Sequence, residues 1–243
     1  MLSAKERLIV ALDVDTTEEA LELVEKLQDH VGVFKVGMQL YNSEGPEILK
    51  KIHGLGGKIF LDLKLHDIPN TVGQAASVLT RHGVFMYNVH TAGGSEMMKK
   101  AAESAAKVSA GQGSTRPLVI GVTVLTSINQ SILENEMGIS RSVEEQVVSW
   151  AQLAKESGLD GVVASPKEIR AIREACGDDF VIITPGVRPE WAAANDQKRV
   201  MTPREAVAAG ASYLVVGRPI TAAADPVNAA KRIVTEMEEG LKC

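Results

Sequence analysis

Eight short apolar runs of strand length recur along this sequence, and stretches with helical spacing separate them. The strand-like runs cover residues 8–13, 33–38, 58–65, 84–90, 118–125, 161–165, 180–187 and 213–218. A helix between two strands carries the chain back across the sheet, so that consecutive strands run parallel. The alternation therefore predicts a repeated βα unit.

The intervening stretches carry apolar stripes and helix start signals. Residues 18–28 and 143–156 each place apolar side chains on one helical face. Hydroxyl groups suited to cap a first helical turn precede several stretches, at Thr16, Ser43, Ser165 and Thr202. Eight units in 243 residues favour an α/β fold of the (βα)8 TIM-barrel type over an open doubly wound sheet. No linker divides the chain, so residues 1–243 are expected to form a single domain.

Charge and hydropathy exclude several classes of partner. The net charge is −5, with acids and bases interspersed, which predicts no nucleic-acid surface. No apolar run approaches the roughly 20 residues of a membrane-spanning helix, and the start of the chain has no signal-peptide pattern. We therefore expect a cytoplasmic protein without membrane contact, with Cys176 and Cys243 as reduced thiols. A small molecule is the expected partner.

Polar residues cluster at the ends of the predicted strands. In (βα)8 barrels, catalytic side chains come from the C-terminal strand ends and the loops that follow them. The residues at these positions are Asp13, Lys35, Asp62, Lys64, Asn88, His90, Thr126, Ser127, Ser165, Arg188, Gly217 and Arg218. We expect one mouth of the barrel to collect them.

The third strand carries an acid and a base, and a second acid follows it, in the run Asp62-Leu-Lys64-Leu-His-Asp67. Residues two apart on a strand point to the same face, so Asp62 and Lys64 are expected together in an interior where an unpaired charge is costly. Two flanking carboxylates would keep Lys64 an ammonium group, with Lys35 reaching over from the second strand. We therefore predict that Lys64 donates a proton and forms no Schiff base.

This motif also has two simpler interpretations. The charged residues could form a structural ion-pair network that fills the barrel without any chemistry. Asp67 could cap the helix that begins near Pro69 instead of facing Lys64.

Two later segments suggest an anion-binding site and a loop that could act as its lid. Gly217-Arg218 follows the eighth strand, at a corner where these barrels often bind phosphate; glycine allows close backbone approach, and arginine supplies a planar fork of donors. The alternative is a surface arginine after a turn. Pro185-Gly-Val-Arg188 begins a polar excursion to residue 200, which is either a mobile lid or an ordinary surface loop.

The histidines give no sign of a metal centre. The five of them are dispersed without ligand spacing and without a nearby cysteine. Gly93-Gly94 is too short and too isolated to be a dinucleotide fingerprint. We predict neither a metal nor an organic cofactor.

Eight motifs, taken in order along almost the whole chain, closely resemble those of the bacterial orotidine 5′-monophosphate decarboxylase family. They are Ala-Leu-Asp13, Phe-Lys35-Val-Gly, Asp62-Leu-Lys64-Leu-His-Asp67-Ile-Pro-Asn-Thr71, Asn88-Val-His, Val-Thr-Val-Leu-Thr126-Ser, Pro185-Gly-Val-Arg188, Asp-Gln197-Lys-Arg and Val-Gly217-Arg218. The Asp-x-Lys-x-x-Asp core is shared with sister decarboxylases. Its continuation Ile-Pro-Asn-Thr, with the phosphate and lid motifs, is highly specific.

The resemblance implies removal of CO2 from orotidine 5′-monophosphate to give UMP in pyrimidine biosynthesis, without metal or cofactor. It implies that Lys64 protonates C6 of the pyrimidine and that Asp62 lies against the departing carboxylate. Lys35 and Asp67 would complete the charged array. It further implies a homodimer, in which Asp67, Ile68 and Thr71 reach into the partner's site.

The same resemblance implies which residues bind the substrate. Asp13 and Lys35 would hold ribose hydroxyls. Thr126 or Ser127 would face the pyrimidine amide, and Pro185 would line the lid hinge. The phosphate would be held by Arg188, Gln197, Gly217 and Arg218.

Two rival functions remain at this stage. Magnesium-dependent decarboxylases of keto-sugar phosphates and hexulose-phosphate synthases resemble the chain at the Asp-x-Lys-x-x-Asp core. They carry a metal-binding glutamate on strand two, where this sequence has Lys35, a residue that repels magnesium. A phosphate-binding barrel without catalysis would keep Gly217 and Arg218 but would not need Lys64 between two acids.

Overall fold

The computed structural model describes residues 2–192 and 201–242. Within these ranges, eight parallel strands close into a barrel in chain order, and the last strand pairs with the first. The strands are β1 Leu8–Ala11, β2 Val33–Gly37, β3 Ile59–Leu65, β4 Met86–His90, β5 Leu118–Val122, β6 Gly161–Val163, β7 Val181–Pro185 and β8 Tyr213–Val216. The predicted (βα)8 barrel is confirmed.

Helices surround the barrel and connect its strands. In the described residues they are α1 Ala4–Arg7, α2 Thr17–Leu27, α3 Met38–Glu44, α4 Glu47–Gly54, α5 Pro69–Arg81, α6 Gly94–Gln112, α7 Gln130–Asn135, α8 Val143–Glu156, α9 Ile169–Cys176, α10 Pro203–Ala208, α11 Arg218–Thr221 and α12 Pro226–Gly240. Short 3-10 turns occur at Thr91–Gly93, Pro166–Glu168 and Glu190–Ala192. None of these helices is long and apolar enough to cross a membrane.

The predicted strands occur in their expected places, but six of them end one to three residues before the apolar run does. Leu12 and Val124, for example, follow β1 and β5 and are still buried, at 0% and 7% exposure. These residues enter the mouth of the barrel as apolar loop segments. An apolar pattern indicates burial, whereas a strand also requires hydrogen bonds to its neighbouring strands. The strands predicted from apolar runs are therefore too long.

Helix starts follow the predicted capping signals with one exception. Thr16 and Thr202 each form a complete capping box, with Glu19 and Glu205 respectively. The prediction for Ser43 is wrong, because Ser43 lies inside α3 and its hydroxyl donates to the Asp15 carbonyl oxygen at 2.7 Å. The turn at Gly45, where φ is +67°, ends α3 before α4 begins.

Two apolar layers hold the barrel together. The inner layer fills the barrel and includes Ile9, Phe60 and Met86, while alternate strand residues such as Leu8 and Val10 pack outward against the helices. Burial of a large apolar side chain contributes about 1.5–3 kcal/mol relative to exposure, so these layers supply the main stabilisation. The polar mouth is built on this rigid frame.

Candidate active site

The C-terminal strand ends surround a cavity of about 130 Å³. Its walls combine apolar side chains with a small number of charged and amide groups, the mixture typical of small-molecule sites. The lining residues are Lys35, Phe60, Asp62, Lys64, Asn88, Val122, Val124, Leu125, Thr126, Val163, Ala164, Pro185 and Val215. Five of the predicted site residues are therefore together here: Lys35, Asp62, Lys64, Thr126 and Pro185.

Four charges alternate along the wall formed by β1, β2 and β3. The Lys35 ammonium lies 2.9 Å from Asp13 Oδ1 and 3.6 Å from Asp62 Oδ2. The Lys64 ammonium lies 2.7 Å from Asp62 Oδ1. The side chains of Lys35, Asp62 and Lys64 are only 11%, 14% and 25% exposed, whereas Asp13 is 55% exposed at the rim. Each buried charge thus has an opposite charge as its neighbour, which offsets the cost of burial.

Asp62 is the centre of this charge chain. Burial by itself would raise the pKa of the Asp62 carboxyl, but the Lys35 and Lys64 ammonium groups and the hydrogen bonds from Lys64 and Asn88 outweigh burial and lower that pKa. Asp62 is therefore a stable carboxylate at neutral pH. A substrate anion placed beside it would meet a fixed negative charge next to a cation.

The contact between Asp62 and Lys64 was expected from regular strand geometry, but β3 is irregular at this point. The β3–β4 register passes from Leu61–Tyr87 to Leu65–Val89 with an irregularity between them. Lys64 has φ of +53°, and it is the one non-glycine residue with positive φ in the described parts of the chain. A bulge, rather than simple alternation, therefore aims Lys64 into the cavity.

Asn88 and Gly37 belong to this site. The sequence placed Asn88 among the polar residues of the mouth without assigning it a role, and it did not single out Gly37. Asn88, on β4, is 1% exposed and donates to Asp62 Oδ1 at 2.7 Å. A Cβ atom added to Gly37 would lie 2.9 Å from Lys35 Nζ, which is too close without a shift. The available signal for Asn88 was a polar residue at the end of an apolar strand, and for Gly37 a glycine two residues after Lys35.

Asp67, Ile68 and Thr71 lie outside this cavity, on an exposed surface at the start of α5. Asp67 Oδ1 accepts a hydrogen bond from the Ile68 backbone N–H at 2.6 Å. The alternative of Asp67 as a helix cap is wrong, because Ile68 is the N-cap residue and α5 has no side-chain cap. No ion pair joins Asp67 to Lys64 within residues 2–192 and 201–242, so the second flanking carboxylate is not supplied within one chain.

The predicted phosphate residues follow β7 and β8, which are neighbouring strands. Pro185 on β7 pairs with Val215 on β8, and Arg188 and Arg218 each come three residues after these positions. Arg188 is half-buried, and Arg218 is exposed at the start of α11. Gln197, also predicted to bind phosphate, lies outside the described residues.

Gly217, the remaining predicted phosphate residue, is not required by close packing. A Cβ atom added there would lie 3.5 Å from the Ala11 Cβ atom, an ordinary contact distance. Contacts with neighbouring protein atoms therefore do not explain the glycine at this position.

Two histidines lie near the charged residues. The rings of His66 and His90 are 5.3 Å apart. Burial lowers the pKa of His90, and the nearby His66 and Lys64 lower it further. In the part of the chain that the structure describes, no group of three or more histidine, cysteine, aspartate or glutamate side chains could hold a metal ion.

Comparisons with known proteins agree with this geometry. The family model described as "Orotidine 5'-phosphate decarboxylase / HUMPS family" matches residues 6–233. A protein of Heliobacterium modesticaldum named orotidine 5′-phosphate decarboxylase is 59% identical over 243 residues, covering 99% of each chain. A second protein of that name, from Syntrophomonas wolfei, is 54% identical and covers 98% of this chain and 100% of its own length.

Solved structures show the same similarity. The crystal structure of orotidine 5′-phosphate decarboxylase from Lactobacillus acidophilus has a TM-score of 0.85 at 43% identity, covering 95% of this chain and 98% of its own. The match extends over the barrel and over every described strand end that carries a predicted site residue. The chain belongs to the orotidine 5′-phosphate decarboxylase / HUMPS family.

Proposed function

We propose that this chain is a carboxy-lyase that converts orotidine 5′-monophosphate to UMP and CO2 in pyrimidine biosynthesis. Family membership supports the reaction, and the observation that carries it is the buried chain of charges around Asp62. Lys35, Asp62 and Lys64 line one cavity at the position expected for active sites of this fold.

In the proposed reaction, the bond between C6 and the carboxyl carbon breaks and CO2 departs. The electron pair of that bond stays on C6, and a proton from Lys64 Nζ then forms the new C6–H bond. The contact of 2.7 Å with Asp62 orients the ammonium group and supports its charged state. Asp62 would lie against the substrate's carboxylate. The repulsion between the two negative charges would favour departure of that carboxylate as CO2.

Lys35 has a different part in this proposal. Its ammonium group bridges Asp13 and Asp62, so it stabilises the central carboxylate from the side opposite Lys64. Asp13 and Lys35 would also bind the ribose hydroxyls, since Asp13 stands at the exposed rim of the cavity. Thr126 or Ser127 would face the pyrimidine amide.

The phosphate would bind at the loops after β7 and β8. Arg188 and Arg218 follow neighbouring strands, and an arginine fork can donate two parallel hydrogen bonds to a phosphate. Gly217 and Gln197 would complete this group, and Pro185 would line the hinge of the loop. Binding energy from the distant phosphate would then help to organise the reacting end of the substrate.

We further propose a homodimer, in the cytoplasm, in which Asp67, Ile68 and Thr71 act in the partner's site. Ile68 is 66% exposed, the highest value among the exposed large hydrophobic residues of the described ranges, and it lies next to the exposed Asp67 and Thr71. The partner's Asp67 would supply the second carboxylate near Lys64. Residues 1–243 would act as one catalytic domain.

A mixing experiment tests this shared site. Lys64→Ala and Asp67→Ala homodimers should each be nearly inactive. After unfolding and refolding together, half of the dimers should be mixed and each should contain one intact site, which restores about a quarter of the wild-type activity. Activity that stays at the level of the separate variants would exclude sharing.

The reaction itself is tested by turnover with a chelator present. Purified protein should release CO2 from orotidine 5′-monophosphate at the same rate with and without EDTA. Loss of turnover in EDTA would support the magnesium-dependent rival instead. That rival is disfavoured by the Lys35 ammonium, a cation 3.6 Å from Asp62 that would repel a divalent ion at this carboxylate.

A further inference from the structure

The junction between β3 and β4 has an unusual count of residues. Leu61 pairs with Tyr87, and the next aligned pair is Leu65 with Val89. Between these pairs, β3 has three residues and β4 has only Asn88. The two reacting groups, Asp62 and Lys64, both lie within this extra length, so Asn88 is the single β4 residue opposite them.

Lys64 has a backbone conformation that its own side chain does not favour. A lysine with φ of +53° is in the left-handed region, which is unfavourable for a residue with a Cβ atom. The backbone N–H of Lys64 donates to a side-chain oxygen, Asn88 Oδ1, at 2.8 Å. This hydrogen bond takes the place of the interstrand ladder bond that the bulge removes.

The other end of the same amide binds the partner of Lys64. Asn88 Nδ2 donates to Asp62 Oδ1 at 2.7 Å, and that oxygen also accepts from Lys64 Nζ at 2.7 Å. Asn88 is 1% exposed, so its amide group is shielded from water. One buried amide therefore links the backbone of the lysine to the carboxylate that orients its ammonium group.

We propose that Asn88 is a positioning residue for this reaction, which holds the Asp62–Lys64 pair in its reactive arrangement without contacting the substrate's reacting atoms. This inference rests on the proposed function. An amide is suited to the task because it offers one donor and one acceptor without charge. Aspartate would keep the acceptor for Lys64 N–H but would place a second anion beside Asp62.

Asn88→Ala is the first test. We expect kcat to fall by about 10- to 100-fold, with KM changed by less than about threefold, because a hydrogen bond to a charged group is lost while the binding residues remain. Asn88→Asp should lose at least as much. A kcat within about threefold of wild type for Asn88→Ala would overturn the proposal.

Thr91→Val is the matched control. Thr91 is equally buried just after β4, and its hydroxyl donates a single hydrogen bond to the Val122 carbonyl at 2.8 Å, away from the ion pair. Its kcat should stay within about threefold of wild type, so a comparable loss in Thr91→Val would mean that the Asn88 effect is only general destabilisation. If Asn88→Ala does not fold, Asn88→Ser, which keeps a hydroxyl, takes its place.

The pH profile supplies a readout that a purely structural role would not move. Asp62 is faced by Lys35 from β2, Lys64 from β3 and His90 from β4, and all three remain in Asn88→Ala. Loss of the Asn88 donor should shift the acidic limb of the kcat profile to higher pH, because the Asp62 carboxylate loses one stabilising bond. An unshifted limb would count against the proposal.

A crystal structure of Asn88→Ala separates this proposal from the proposed function. Lys64 should leave the left-handed region or its ammonium should move away from Asp62, whether or not the wild-type protein turns over orotidine 5′-monophosphate. An unchanged Lys64 would overturn the positioning role. Failure of the wild-type protein to release CO2, together with a displaced Lys64, would instead reject only the proposed reaction.

Discussion

The β3–β4 and β7–β8 strand pairs both end at the mouth of the barrel, but they end in different ways. The β7–β8 register is regular through Pro185 and Val215, and the proposed phosphate residues come after the strands, on loops. The β3–β4 register is broken, and Asp62 and Lys64 lie inside the break. The proposed reacting groups are thus held within the sheet, while the proposed anion-binding groups follow it.

The two regions also differ in burial and in bonding. Asp62 is 14% exposed and is hydrogen-bonded to Lys64 and Asn88, whereas Arg218 is exposed at the start of a short helix. A buried charge needs its partners from the protein itself, while an exposed arginine can keep its water until a ligand arrives. The proposed proton-transfer groups are therefore preorganised by the fold, whereas the proposed phosphate-binding groups would be organised by the substrate.

Lys64→Ala tests the strand-held side and should have the largest effect. Turnover should fall by about 10³-fold or more, because the proton source is removed, while UMP binding measured by calorimetry should remain. Lys58→Ala is the control, since Lys58 lies just before the same strand and its ammonium is 5.5 Å from the centre of the Phe85 ring and near Glu6, not in the charge chain around Asp62. Near-wild-type turnover of Lys64→Ala would exclude it as the proton donor.

Arg218→Ala tests the loop-held side and should have a smaller effect. Removal of a charged contact should cost about 2–4 kcal/mol, which is a loss of about 30- to 900-fold in kcat/KM. A truncated substrate without phosphate should react equally with both proteins. Arg170→Ala, an exposed arginine on α9, serves as the control, and unchanged kinetics in Arg218→Ala would refute the phosphate assignment.

Gly37→Ala tests how tightly the charge chain is packed. The new methyl group would lie 2.9 Å from Lys35 Nζ and 3.5 Å from Asp13 Oδ1, so the ammonium must shift. We expect about a tenfold loss of kcat/KM, typical of a moderate overpacking penalty. Gly111→Ala has open space around its Cβ position and should be neutral. Equal activity in both variants would show that Lys35 tolerates displacement.

The smallest effect concerns the pH dependence of stability. Asp62 has a pKa lowered from 3.8, so its pairing stabilises the fold above that value and is lost as pH falls through the lower folded pKa. The difference in unfolding free energy between wild type and Asp62→Asn should be constant from about pH 8 to 5 and shrink below about pH 4. Urea unfolding at several pH values measures it, and a difference that grows in acid would contradict the assignment.

The sequence predicted the barrel, and five of the residues that it marked for the site lie together in one cavity, because both predictions depend on local patterns. Eight apolar runs and the polar residues that follow them are visible without any knowledge of strand partners. The contact between Asp62 and Lys64, expected from a spacing of two, is confirmed, although a bulge in β3 and not the spacing alone produces it. Strand ends were less accurate because Leu12 and Val124 stay apolar after the ladder stops.

The remainder depends on relations between distant segments. The bulge at Lys64 and the role of Asn88 require the β3–β4 register, which no single run of residues contains. The close approach of Gly37 to Lys35 Nζ likewise depends on a side-chain direction. The proposed role of Asp67 involves a second chain, so it stays a prediction.

The alternating charges connect neighbouring strands of the barrel, with Asp13 after β1, Lys35 on β2 and Asp62 on β3. Because the Asp13–Lys35 and Lys35–Asp62 pairs each join two neighbouring strands, a one-residue slip of β2 would separate both pairs at once, and a slip of β1 or β3 would separate one of them. Deletions and insertions should therefore be better tolerated in the outer helices and their connections than in β1, β2 or β3.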